Sequence, residues 1–165
     1  MDKNNLSKLV VSMLLSVLAA VVGSVPIIFT DGVEWYQSTL SKPFFAPPSW
    51  LFGPAWAVLF FLMALALYLV WLKWPAPEAK MAMAFYLAQL CLNVVWNFLF
   101  FGLHSSTGML LGLVEIVILL AMIAVTAYRF YQIDRRAGYL MVPYLLWVAF
   151  ATCLNAAVWL LNSGA

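Results

Sequence analysis

Apolar residues run along the chain in five almost unbroken stretches, at positions 9–29, 50–71, 81–103, 109–128 and 139–161. Each is 20 to 23 residues long. A helix rising about 1.5 Å per residue needs roughly 20 residues to cross a hydrocarbon core about 30 Å thick. A membrane-spanning strand would need only about 10 residues of alternating polarity, and no such alternation occurs. Helices also bond their own backbone groups, which lipid cannot do for them. The pattern predicts an all-α integral membrane protein, a five-helix transmembrane bundle filling 1–165 as a single domain. The residues left over form termini and loops, and no separate soluble domain fits among them.

Hydrophobic residues make up 67% of the chain and charged residues 8%, where a soluble domain carries about 25% charged residues. This excludes a soluble enzyme, a nucleic-acid binder and a disordered segment; the partner around this surface is the lipid bilayer. The net charge of +2 is too small to imply an acidic partner. Placement of the charges says more. Lys3, Lys8, Lys73, Lys80, Arg129, Arg135 and Arg136 fall on one side of the alternating spans, and Lys42 alone falls on the other. Basic loops stay cytoplasmic. The amino terminus is therefore expected inside and the carboxyl terminus outside, in a prokaryotic cell membrane. The first stretch follows two lysines, as a signal peptide would. It outruns a signal core of about 7–15 residues and ends without a small-x-small cleavage site, so it is expected to remain as a helix. Cys91 and Cys153 lie inside apolar stretches without metal-ligand spacing.

Short connections make sequential helices antiparallel neighbours. The outward 30–49 connection is longer and carries Trp35, Tyr36, Phe44, Phe45, Pro43, Pro47 and Pro48 with few charges. A long loop in a compact domain often serves as a lid. The alternative is an interfacial anchor, since Trp and Tyr favour the headgroup level.

Polar residues at membrane depth need a reason. Gln89, Asn93 and Asn97 recur every four residues and so share one helical face. Carboxamides facing lipid are costly, which turns this face into the bundle, with Trp96 bordering it. The stripe is read as a cavity wall that orients a polar edge of a ligand; plain interhelical hydrogen bonding is the alternative. Glu115 is the one acid well inside a span, with no base at its depth. Such a buried acid is a functional candidate by default, and a structural acid otherwise. Gly108 and Gly112 precede it at GxxxG spacing. That spacing permits close helix approach, across a dimer seam or within the bundle. Trp147, Ala151 and Asn155 share a face of the fifth span, and Trp56 follows Gly53 and Pro54 in the second. Together these groups suit a flat, apolar ligand with a few polar edges. No HExxH, GxSxG, phosphate loop or cysteine cluster occurs, so neither a metal site nor a conventional enzyme is expected. His104 stands alone between the third and fourth spans.

Several motifs then combine: Trp35-Tyr36, Leu40, Lys42-Pro43, Pro47-Pro48 and Phe52-Gly53-Pro54-Ala55-Trp56 around the first loop, Gln89, Asn93 and Trp96 in the third span, and Pro143-Tyr144, Trp147, Ala151-Thr152 and Leu154-Asn155 in the fifth. This set resembles the TspO/MBR family of tryptophan-rich sensory proteins, which includes the mitochondrial translocator protein, the peripheral-type benzodiazepine receptor. The resemblance spans about residues 20–162. It implies a five-helix bundle, often a homodimer, whose ligand cavity is roofed by the first loop. It implies a receptor or sensor that binds porphyrins, protoporphyrin IX or haem, and related hydrophobic small molecules, with no covalent cofactor. The implied ligand contacts are Trp35, Tyr36, Pro47, Trp56, Asn93, Trp96, Asn97, Trp147, Ala151 and Leu154. Two alternatives accompany this reading. One is photo-oxidative porphyrin degradation, which would fall to Trp56 and Trp147; the other is a tetrapyrrole or sterol transporter. The animal sterol pattern, a Tyr and a basic residue ending the fifth helix, is absent from 154–161. A looser match at Val125, Tyr131 and Arg135 is a weak signal. The spans also show no internal symmetry of the transporter kind.

Overall fold

A computed structural model describes residues 3–163. In chain order it contains α1 (Lys3–Phe29), the single turn α2 (Gly32–Glu34), a wide π-turn over Trp35–Thr39, a 3-10 turn over Ser49–Leu51, α3 (Phe52–Trp71), α4 (Pro77–Gly102), α5 (Ser106–Ile133) and α6 (Arg135–Asn162). The five long helices are each long and apolar enough to cross a membrane, as the hydropathy pattern predicts.

The helices outrun the apolar stretches at the basic end of the bundle. α1 is already helical at Lys3, α4 begins at Pro77, α5 continues to Ile133 and α6 begins at Arg135. Hydropathy marks where lipid begins, whereas a helix continues until its end groups find a cap. Pro77 starts α4 at a position where its missing N–H costs nothing. Asp134 is the entire α5–α6 turn. Its Oδ1 accepts the Arg136 N–H at 2.9 Å and its Oδ2 accepts Arg136 Nη2 at 3.0 Å. The Arg136 guanidinium holds the Asp134 carboxyl below the usual carboxylate range. The cap is therefore complete above that range and is lost as pH falls through the depressed value.

The long helices close into a ring in the order α1, α3, α6, α5, α4. Lipid is as apolar as these side chains, so close packing rather than escape from water holds the ring together. Its centre is filled by Met63 and Leu67 of α3, Tyr86 of α4, Ile123 and Phe130 of α5, and Met141 and Tyr144 of α6. The Tyr86 and Phe130 rings stack at 5.8 Å.

Gly108 and Gly112 lie inside this ring, which removes the dimer-seam reading of that pair. A Cβ on Gly108 would stand 2.7 Å from Leu103 Cβ and 2.8 Å from the Leu99 carbonyl oxygen. A Cβ on Gly112 would stand 3.4 Å from Asn155 Oδ1 and 3.5 Å from Trp96 Nε1. Both glycines are buried within one chain. They let α5 approach α4 and α6 closely enough for one node to tie all three helices. In that node Trp96 Nε1 donates to Asn155 Oδ1 at 3.1 Å, and Asn155 Nδ2 donates to the Met109 carbonyl at 3.0 Å.

Candidate ligand site

α1 turns a row of small residues toward its neighbours: Ser12, Ser16, Ala19 and Gly23, buried at spacings of three and four. So few side-chain atoms leave space between α1, α3 and α4. The cavity there measures about 570 Å³ and is lined by Ser16, Ala20, Gly23 and Ser24 of α1, Gly53, Trp56, Ala57 and Phe60 of α3, and Asn93 and Asn97 of α4. Ligand pockets typically span about 300–1,000 Å³. Trp56 stands at one side, its ring 5.4 Å from that of Phe60 and edge-on to Tyr144 at 6.2 Å. Each carboxamide NH2 spends one of its two N–H groups within the protein. Asn93 Nδ2 donates to Tyr144 Oη at 3.2 Å, and Asn97 Nδ2 donates to the Asn93 carbonyl at 3.0 Å. What this wall has left for a ligand is the amide oxygens and the second N–H of each NH2 group. Val17, Val21 and Phe61 also line the cavity and are each more than half exposed, so its mouth faces sideways into lipid. A shallower depression of about 480 Å³ lies outside, between the end of α1 and the α2 turn; it carries Asp31 and Glu34 and has no aromatic wall.

The 30–49 loop closes a different space. Tyr36 and Leu40 are buried against Phe100, Met109, Leu154 and Val158, with Trp35, Trp96, Phe150 and Trp159 around them. Burial pushes the Tyr36 phenol above its usual pKa, and its hydroxyl has no hydrogen-bond partner. Three fastenings hold the loop. Lys42 Nζ donates to the carbonyls of Gln37 at 2.8 Å and of Tyr36 and Leu40 at 3.2 Å. At the end of α6, the Asn162 carboxamide pairs with the Ser41 backbone, with Nδ2 to Ser41 O and Ser41 N to Oδ1 both at 2.9 Å. At the start of the loop, Thr30 Oγ1 donates to the Phe101 carbonyl at 2.8 Å and lies 3.3 Å from His104 Nε2. The His104 ring stacks on Trp35 at 4.8 Å. His104 is therefore not alone, as its isolation in the sequence suggests; it packs against the start of the loop. Asn162→Ala is expected to raise amide hydrogen exchange across 36–42 while α3 to α6 keep their protection. Unchanged exchange in that segment would contradict the clasp.

The predicted contact residues come together in two groups rather than one. Trp56, Asn93 and Asn97 line the cavity. Trp35, Tyr36, Trp96 and Leu154 belong to the cluster beneath the loop. Trp147 lies edge-on to Phe52 at 5.9 Å, and Ala151 flanks the central core. Pro47 is half-buried ahead of the 3-10 turn. The division has a simple cause: the loop's own aromatics fill the space above α4, α5 and α6, whereas the small row on α1 leaves the other side empty. The α1 wall is what a reading of polar and aromatic residues misses. Its one signal is the small-residue period itself. Among the described residues, no group of His, Cys, Asp and Glu is placed to hold a metal ion.

The chain is similar to known proteins along most of its length. The profile of the TspO/MBR family matches residues 12–160. The chain is 41% identical to the tryptophan-rich protein TspO of Archaeoglobus fulgidus, over 96% of this chain and 99% of that one. It is 38% identical to protein CrtK of Rhodobacter capsulatus, over 90% of each chain. It is 37% identical to the human translocator protein, over 81% of this chain and 78% of that one.

Proposed function

Since the chain belongs to the TspO/MBR family as an integral, multi-pass membrane receptor or sensor, we propose that its ligand is a porphyrin of the protoporphyrin IX or haem type. The site is the cavity between α1, α3 and α4. The observation that carries this reading is the cavity's composition: about 570 Å³ of space with Trp56 at its side, small residues along α1, and Asn93 and Asn97 as its polar edge. A flat macrocycle can lie against the indole, since aromatic faces favour offset or edge contact. Its polar substituents can meet the carboxamides and Ser16. The sideways mouth suits a ligand that is dissolved in the bilayer.

The test is a dark titration of the purified protein with protoporphyrin IX, following the fluorescence of its eight tryptophans. Saturable quenching at about micromolar ligand, roughly −8 kcal/mol, is expected. Trp56→Phe should remove a disproportionate share of the quenching. Asn93→Leu should weaken binding by up to about tenfold, the value of one net hydrogen bond. Linear quenching without saturation would contradict a defined site.

A further inference from the structure

The stretch of chain between the Asn162 clasp and α3 lies deeper than a surface loop should. Two contacts with α6 fix its depth. Ser41 pairs with Asn162, the last residue of α6. Only a few residues on, the Phe45 ring lies 6.3 Å from that of Phe150, edge-on. Phe150 stands at the middle of the apolar run 139–161, about 18 Å below Asn162 at 1.5 Å per residue. α3 begins no higher. The ring of its first residue, Phe52, is 5.9 Å from Trp147, which lies nearly one turn deeper than Phe150. Residues 41–51 therefore descend through half of the bundle with no more than a 3-10 turn, at a depth where α6 is helical.

Non-helical backbone at membrane depth persists where the protein itself meets its polar groups, and this segment is built to need little. Pro43, Pro47 and Pro48 have no N–H to satisfy. The Ser41 N–H goes to Asn162 Oδ1. The N–H groups of Ala46 and Leu51 go to the carbonyls of Pro43 and Pro48, both at 3.0 Å. The Lys42 ammonium is turned onto three carbonyls of its own loop. From 43 to 72 no Asp, Glu, Lys, Arg or His occurs. The large side chains left outside are aromatic: Phe44 is fully exposed and edge-on to Phe45 at 5.5 Å, and Trp50 is 70% exposed.

We infer that residues 41–51 are a re-entrant wall embedded in the leaflet opposite the basic loops, and that the partner of Phe44, Phe45 and Trp50 is lipid acyl chain. Continuity with the lipid-facing surface argues for that occupant. Leu146 lies one turn below Phe150 on the same face of α6 and is itself largely exposed. This places the aromatics below the headgroup level at which an interfacial anchor would sit. The loop is then no flap on the water side: lifting it would draw these rings out of hydrocarbon. The inference is independent of which ligand the cavity takes.

Spin labels test it. A nitroxide is attached at Phe44→Cys or Trp50→Cys, with Leu146→Cys and Gln37→Cys as references, and the exposed native Cys91 and Cys153 changed to alanine. In phosphatidylcholine liposomes, collision with oxygen, which concentrates in hydrocarbon, is compared with collision with a water-soluble nickel chelate. Labels at 44 and 50 should show the high oxygen and low nickel access of the label at 146. The label at 37, beside Asp31 and Glu34 in the outer depression, should show the reverse. Nickel access at 44 equal to that at 37 would put the segment in water and overturn the inference. Shielding of 44 from both reagents would mean that another chain covers it, and would overturn it too. Should the alanine background fail to fold, wild type and Trp50→Phe decide the matter in dibrominated phosphatidylcholine. The emission lost with Trp50→Phe should be blue-shifted and strongly quenched by the bromines. Red-shifted, unquenched Trp50 emission contradicts a lipid-embedded wall.

Discussion

Ala20→Phe should yield a folded protein that no longer binds porphyrin saturably. Ala20 lines the cavity from α1, opposite the α3 wall that holds Trp56. A benzyl group there occupies space that no other side chain fills, so the helices need not move. Affinity is expected to fall at least about a hundredfold, near 2.7 kcal/mol. The thermal midpoint in detergent should change little, because a cavity is filled rather than a packed contact strained. The contrast is Asn162→Ala. It loosens the loop over a different cluster and should leave equilibrium affinity within about twofold. If Ala20→Phe bound normally and Asn162→Ala lost binding, the site would lie beneath the loop.

Gly108→Leu should be the most damaging single substitution at a helix crossing. Its Cβ alone would meet Leu103 Cβ at 2.7 Å and the Leu99 carbonyl oxygen at 2.8 Å. The second of these is backbone and cannot swing aside. The next turn carries the node in which Asn155 bridges Trp96 and the Met109 carbonyl. Forcing α5 away from α4 therefore strains steric fit and hydrogen bonds together. Overpacking costs about 1–3 kcal/mol, and loss of interhelical hydrogen bonds adds about 0.6–2 kcal/mol each. Thermal unfolding followed by circular dichroism should show a large drop in midpoint or no folded protein at all. A Gly108→Leu protein that melted like the wild type and differed only in oligomeric state would place this face outside the bundle, against the geometry.

Much of the fold was legible because lipid imposes a coarse rule. Every span had to be apolar for about 20 residues, and the five stretches obeyed it. Helix ends were less legible, because they depend on single capping atoms. Nothing in hydropathy distinguishes Asp134, the whole of the α5–α6 turn, from a loop several residues longer. The α4 stripe could be read because carboxamides are expensive in lipid: Gln89 and Asn93 are buried, and Asn97 reaches the cavity. The α1 wall was harder to see, since Ala20 and Gly23 contribute space rather than chemistry. Aromatic residues carried the opposite ambiguity. A tryptophan can line a cavity or fill one, and sequence alone does not separate Trp56, at the cavity, from Trp35 and Trp96, in the cluster beneath the loop. The GxxxG pair was ambiguous for a related reason. Small residues permit a close approach without saying which helix approaches, and here the partners are α4 and α6 of the same chain.

The central claim is that the ligand lies between α1, α3 and α4. Photo-crosslinking with a diazirine-bearing protoporphyrin IX derivative, mapped by mass spectrometry on protein in nanodiscs, tests it most directly. Adducts concentrated within 16–24 of α1 and 53–60 of α3, competed away by unlabelled porphyrin and absent from Ala20→Phe, are the predicted result. Competable adducts concentrated on Trp35, Tyr36 and 147–154 instead would contradict the account and place the ligand beneath the loop.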